Sequence, residues 1–347
     1  MTIGNDILPG IITDVKSLTA VSTSGLSDAN VALVGKGDVS EGEADANTPY
    51  TITRPTNVAN MFGDGSELTK GVLDALAEGA MPVYAVMAAG DTAEDYENAL
   101  DALESEEADS IDVLGVISTD EDVAQKLETT VNSMESYHQF ALAVTGADVV
   151  DGDTSLYKNP FNNSRVQLIY PAENNSGDSV VGSFVGLHGR LGINGSVMNK
   201  RLKRHSRLSH RLDKGEQMEL LGENVVPIAS ETRGALVIDD PTSIDSNDPD
   251  EGEMSLGFTR MVVDRVTEIV KETEEPFIGR LNNPAARGSL QAMISSQLRF
   301  LKEQDAILDY DVSVQRRDAD SAFVEVQIET VKPLRNIYNT VAAGRME

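Results

Sequence analysis

The sequence predicts a mixed α/β protein, with sheet layers flanked by helices and extended segments at both ends. Three observations carry that expectation. Short apolar runs bounded by Gly or polar residues recur along the chain, the pattern of buried strands. Between them lie segments whose apolar residues return at helical spacing, and such strand–helix alternation packs helices onto a sheet. The 347 residues are 40% hydrophobic but only 5% aromatic, with no Trp. A core of that make-up must be built from Val, Leu, Ile, Ala and Met.

Taken in order, residues 1 to about 24 lack a core-forming pattern. Pro9-Gly10 interrupts an extended segment, and Ser, Thr and Gly crowd 17 to 27. Val31 to Gly35 reads as a buried strand, followed by an acidic loop (38 to 47). Thr51 to Thr53 is a short strand, and Arg54-Pro55-Thr56 opens a helix ending near Phe62-Gly63. Val72, Leu73, Leu76 and Ala77 place a helix over Leu68 to Gly79. Met81 to Met87, Ile111 to Ile117, Gln139 to Thr145 and Val166 to Tyr170 are strands. They alternate with an acidic helix at Asp91 to Leu103 and an amphipathic one at Asp120 to Tyr137. Val180 to Leu191 is an apolar, Gly-rich helix, and Val225 to Ile228 and Gly234 to Ile238 are strands. Pro241 to Glu253 is a charged loop and a boundary. Helices follow at Phe258 to Thr273 and from Asn283-Pro284 to about Gln304. Asp311 to Arg316 and Ala322 to Thr330 alternate as paired strands, and Lys332 to Gly344 is extended. The expected division is an arm at 1–24, a domain at 25–255, a second at 256–330, and an arm at 331–347.

There are 57 acidic and 28 basic residues, a net charge of −29. Phosphates would be repelled over such a surface, so direct nucleic-acid binding is not expected. The acids are spread through every segment and Lys is scarce, which reads as adaptation to high salt, where screening removes the repulsion. Cys is absent, which removes disulfides, zinc-thiolate sites and Cys nucleophiles. The opening MTIGNDILPGIITDV has no basic segment before a long apolar one, so no signal peptide is expected. No run of about 18 apolar residues occurs, so no membrane insertion is expected. The chain reads as soluble and cytoplasmic when made.

Motifs for chemistry are few, and no catalytic residue, cofactor or metal site is expected. Gly63 to Gly71 is glycine-rich but misses the GxxxxGK[ST] spacing and does not follow an apolar strand. Gly182, Gly186, Gly189, Gly192 and Gly195 fit neither GxGxxG nor GxSxG, and close helix approach is the better reason for them. The acidic stretch from Asp245 to Glu253 offers calcium-type oxygens, but Pro249 falls at the fifth position of such a loop and its Gly is displaced. His205 and His210 are five apart and do not form an i, i+4 metal pair. A Ser-His-Asp arrangement is spatial and stays open, though no Ser is marked as activated.

The order of segments at both ends is more telling. After an arm with Pro-Gly come a strand ending in Gly35, TRPTNVANMFG (53–63), a helix, and EGAMPVYAVM (78–87). Near the other end a helix leads into EEPFIGRLNNP (274–284), then a second helix, YDV (310–312), and VEVQIETVKPLR (324–335). This combination resembles the tail sheath proteins of contractile-tailed viruses and related injection machines. It covers about 30 to 90 and 255 to 340 well and the middle loosely; Gly279-Arg280 stands where family members vary. The chain is short for that family, which suggests few or no decorating domains.

The resemblance implies a homo-oligomer, a helical array of stacked rings around an inner tail tube, meeting baseplate and tail terminator proteins. The array would contract to drive the tube through a cell envelope. It implies a virion component assembled in the host cytoplasm, here of a haloarchaeal virus. Domain 25–255 would lie outside, and 256–330 would face the tube. The arms would add strands to neighbours' sheets, with Ile11, Ile12, Val15 and Leu18 at one end and Ile337, Tyr338 and Val341 at the other. For the tube contact the candidates are Arg280, Arg287, Arg299 and Lys302. The alternative is the one dense basic run, 199 to 214, which holds seven of the 28 basic residues; its candidates are Lys200, Arg201, Lys203, Arg204, Arg207 and Arg211. Two other readings stay open: a different viral structural protein, such as a capsid or baseplate component, and an α/β enzyme.

Overall fold

The computed structural model describes residues 29–106, 111–249 and 251–335. The two candidate arms, with Ile11, Ile12, Val15, Leu18, Ile337, Tyr338 and Val341, lie outside those residues or only begin within them.

The eight strands of the main sheet are β1 (Val31–Lys36), β2 (Pro49–Ile52), β3 (Val83–Ala88), β4 (Val113–Val116), β5 (Leu142–Gly146), β6 (Val166–Tyr170), β7 (Val226–Glu231) and β8 (Gly234–Val237). Their order is β2-β3-β1-β4-β5-β6-β7-β8. β2 and β8 are antiparallel to their neighbours, and the strands between run parallel. Parallel strands covered on both faces become continuous apolar runs, which is why β1, β4, β5 and β6 are buried nearly throughout. Alternate residues serve two cores. Val31 and Leu33 point to one and Ala32 and Val34 to the other. The first core lies under α1 (Val58–Phe62), α2 (Glu67–Glu78), α5 (Val181–Leu191) and α7 (Gly257–Glu274). The second lies under α3 (Ala93–Glu106), α4 (Glu121–Ser136) and α6 (Lys214–Gly222).

Elements end where local chemistry ends them. Ser66 caps α2 through Thr69 N, and Gly79 closes it in the left-handed region. Thr92 and Asp95 bond reciprocally, so α3 starts at Ala93 and not at Asp91. Pro49 can open β2 because that strand lies at the sheet edge. α6, absent from the sequence reading, begins on a capping box formed by Asp213 and Glu216.

The glycine-rich helix packs as its composition suggests. A Cβ on Gly182 would lie 2.3 Å from the carbonyl oxygen of Gly71, and one on Gly186 would lie 2.5 Å from Ala75 Cα. α2 and α5 therefore meet backbone to backbone. Gly189 is crowded by Val31, whereas a Cβ on Gly195 would meet nothing within 4 Å, so close approach does not account for that residue.

After α7 come α8 (Pro284–Glu303), β9 (Ile307–Arg316) and β10 (Ala322–Thr330). β9 and β10 form a separate two-stranded antiparallel sheet. β9 starts four residues before the expected Asp311, because Ile307 is buried beside Ala306. Leu290, Ile294, Leu298 and Leu301 of α8 join Val312, Val324 and Val326 of the hairpin in the first core.

α7 joins these elements to the sheet through buried charge. Arg165, immediately before β6, donates to Asp264 at 2.7 and 3.0 Å and to Glu135 of α4 at 2.7 Å. Arg260, one turn before Asp264, donates to the same carboxylate through Nε at 3.0 Å. Both arginines are 1% exposed. Burial pushes the Asp264 carboxyl up, but the two guanidiniums outweigh it and hold the group below the usual carboxylate range.

Asp264→Asn removes the shared counter-charge and should cost about 3–5 kcal/mol in urea unfolding. Arg265→Ala, breaking a half-exposed pair with Glu268 on the same helix, should cost under about 1 kcal/mol. Since folding lowers the Asp264 pKa, the network's contribution is complete above about pH 4 and is lost as pH falls through the depressed folded value. Gly186→Ala should lower stability by about 1–3 kcal/mol through overpacking. Gly288→Ala on α8, where a Cβ meets nothing within 4 Å, should raise the melting temperature modestly.

Candidate assembly surfaces

The basic run does not form a free cationic face. Residues 199–205 lie along the outer edge of β8, with Leu202 N donating to Ala235 O and Ala235 N to His205 O. The segment thus covers a sheet edge that would otherwise be open. Arg201 pairs with Glu231 at 2.6 Å, Arg204 with Asp74 at 3.0 Å, and buried His205 with the other Asp74 oxygen at 2.8 Å. Lys203 Nζ donates to the carbonyls of Ala77 and Glu78 at the end of α2, where a cation offsets the helix dipole. His210 instead meets Tyr170 and Glu216. Lys200, Arg207 and Arg211 are exposed and have no side-chain partner among the described residues.

The second cationic group is also largely committed. Arg280 Nε donates to Pro276 O at 2.8 Å, and its guanidinium lies 4.3 Å from the Phe277 ring centre. Arg287 donates to Asn282. Lys302 pairs with Asp309 at 2.7 Å. Arg299 alone of the four is exposed without a partner among the described residues. What the cation count missed is the ridge beside it. From Pro284 to Lys302 the sequence has no Asp or Glu, and Met293 (46% exposed) and Phe300 (49%) stand out of it.

The β9–β10 hairpin carries a second unusual surface. Tyr310, Val312, Val314, Val324, Val326 and Ile328 turn inward. Asp309, Asp311, Glu325 and Glu329 lie on the other face, with Asp309 directly opposite Glu329. Like charges so placed oppose pairing, and Lys302 partly offsets them. Neither outer edge of the hairpin has a strand partner among the described residues. Beyond β10 the chain returns to the main body: Val331 is fully buried, Lys332 pairs with Glu253 and Arg335 with Asp239.

Open α/β sheets bind ligands outside the carboxyl ends of the strands where their order reverses, here at β1 between β3 and β4. That position is filled. Ile117 is 3% exposed, a Cβ on Gly71 would come within 2.4 Å of it, and the Tyr96 hydroxyl donates to its carbonyl at 3.0 Å. A cleft of about 400 Å³ lies at the opposite end, lined in part by Asn30, Asp112, Arg265 and Glu268. Asp112 accepts from Asn30 N at 2.7 Å and so fixes the start of β1. Burial, reinforced by the Asp112 charge, pushes Glu268 up to about 7. Among the described residues no group of three or more His, Asp or Glu is placed to hold a metal ion, and no helix is long and apolar enough to cross a membrane.

No protein-family profile and no curated protein sequence matches the chain. Solved structures do. A chain of the anti-feeding prophage baseplate, seen by cryo-electron microscopy, superposes with a TM-score of 0.75 at 17% identity, over 98% of this chain and 100% of that one. The contracted helical sheath of the same prophage gives 0.70 at 17% identity, covering 97% and 99%. The sheath tail protein of Desulfitobacterium hafniense gives 0.68 at 12% identity, covering 93% and 100%. The described residues therefore have the mixed α/β fold of contractile sheath proteins.

Proposed function

We propose that this chain is a structural subunit of a contractile tail sheath, polymerising as a helical array around an inner tube. The observation that carries this reading is the end-to-end fold likeness, 98% of this chain against 100% of a contractile particle's subunit. The filled crevice at the sheet's switch point supports a structural over a catalytic role, because the position where α/β enzymes hold ligands is occupied by Ile117.

In this reading residues 25–255 form the outer body and 256–330 the tube-facing part, with α8 toward the axis. The acid-free stretch of α8 from Pro284 to Lys302 supports that placement, since a stretch without carboxylates suits a partner that is itself acidic. Arg299 is the leading charge contact, and the exposed cations Lys200, Arg207 and Arg211 lie on the outer body. Residues 1–24 and 331–347 act as arms that add strands to neighbours' sheets. Their support is the unpaired edges of β9 and β10, which main-chain hydrogen bonds can extend. The particle is a virion or an injection machine with a baseplate and a tail terminator. The acidity supports a saline habitat and a haloarchaeal virus as its source.

Purified full-length chain should form long hollow cylinders in negative stain. Small discrete oligomers under all salt conditions would contradict the reading. With −29 per subunit, cylinders should persist at 1 M salt, where the screening length is about 3 Å, and loosen in dilute buffer. A chain lacking residues 1–20 should remain folded yet fail to polymerise.

Arg299→Glu should leave empty cylinders intact while weakening capture of the tube, most visibly at low salt. Lys302→Glu and Arg287→Glu should do less to capture, since both side chains are already held within the chain. If reversal at Lys200, Arg207 and Arg211 abolishes tube capture instead, α8 is not the gripping surface.

A further inference from the structure

Two large apolar side chains on α8 are left half in solvent. Met293 and Phe300 are 46% and 49% exposed, although the same helix buries Leu290, Ile294, Leu298 and Leu301 against its neighbours. Seven residues separate them. That spacing returns both to one side of the helix within about 20° and sets them about 10 Å apart along its axis. Ser296 and Gln297, uncharged and exposed, are the residues that lie between them on that side. Single exposed apolar residues are ordinary. A pair in helical register is different when it lies on a stretch without carboxylates, in a chain that has 57 of them.

The exposed neighbour of Phe300 is Arg299, which has no partner among the described residues. Met, Phe and Arg are the residue types enriched at the centre of protein interfaces, where a few buried anchors carry most of the affinity. The helix carries no carboxylate from Pro284 to Lys302; Glu303 and Asp309 border the hollow that Arg299 and Lys302 line.

We propose that Met293 and Phe300 are the anchors by which α8 holds the inner tube, and that the tube surface presents apolar sockets about 10 Å apart, rimmed by carboxylates that meet Arg299. This rests on the tube-facing reading of α8 and deepens it. Charge alone would make the grip fade as salt rises, whereas burial of apolar side chains does not weaken with added salt. The contact therefore survives conditions in which Arg299 contributes little.

The test is co-sedimentation of preformed sheath with the tube subunit of the same particle, at 0.1 M and 1 M salt. Met293→Ser with Phe300→Ser should weaken capture about tenfold or more at both salt concentrations, with cylinders unchanged. Met293→Leu with Phe300→Leu should retain capture within about threefold. Wild-type capture by the Ser pair overturns the anchor proposal and leaves the sheath reading standing. Wild-type cylinders that ignore the tube overturn the tube-facing placement and the anchors with it. A second measurement does not depend on the tolerance of the Ser pair. The chain has no Cys, so Met293→Cys or Phe300→Cys gives a single thiol. It should resist a maleimide probe in tube-filled particles and react in empty ones; equal reactivity in both overturns the proposal.

Discussion

The carboxylate of Asp264, held between Arg165 and Arg260, decides how the part of this chain from α7 onward sits on the rest. A buried ion pair of this kind is a weak source of net stability, because desolvating the charges offsets most of their attraction. Its consequence is geometric. Guanidinium donors are fixed in a planar fork, so Arg165, the residue just before β6, and Arg260 on α7 can share Asp264 only in a narrow range of rotation and height of α7 on the sheet. Glu135 ties the same cluster to α4 on the other side. Everything that follows α7 inherits that orientation, including the direction in which α8 and the hairpin leave the body.

Beyond α7 the surface chemistry changes. The main body closes its edge at β8 with residues 199–205 and uses four of the local basic side chains to hold that cover in place. The hairpin leaves both edges unpaired among the described residues and sets like charges opposite each other. Proteins that remain monomeric usually cover or blunt such edges. The two modules therefore differ in how their edges are treated: the body covers the one at β8, while β2 and both strands of the hairpin have a single strand neighbour among the described residues. Bulk charge acts in the same sense: −29 per chain opposes close packing of copies, so the proposed contacts are local ones, strand addition and the stretch of α8 before Glu303.

Much of this architecture can be read from the residues because it depends on local pattern. β1, β4, β5 and β6 are continuous apolar runs, and buried parallel strands have to be. The glycines of α5 marked a close helix contact before its partner α2 was known. α6 was missed because Leu220 is its one buried residue; without an apolar stripe, its visible signal was the capping box at Asp213 and Glu216. Pairing of the basic run was beyond local pattern altogether. Arg204 and His205 find Asp74 some 130 positions away, and charge density along the chain carries no record of such partners. The same limit applies to Arg165 and Arg260, which look like surface cations in sequence and are 1% exposed in the fold.

A helical reconstruction of the assembled cylinder, at a resolution that traces individual helices, tests this account most directly. α8 should lie on the lumen wall and α3 and α4 on the outside, with at least one extra strand from a neighbouring copy on the β9–β10 sheet. A cylinder with α8 at the outer radius, or with the hairpin still two-stranded, would contradict it.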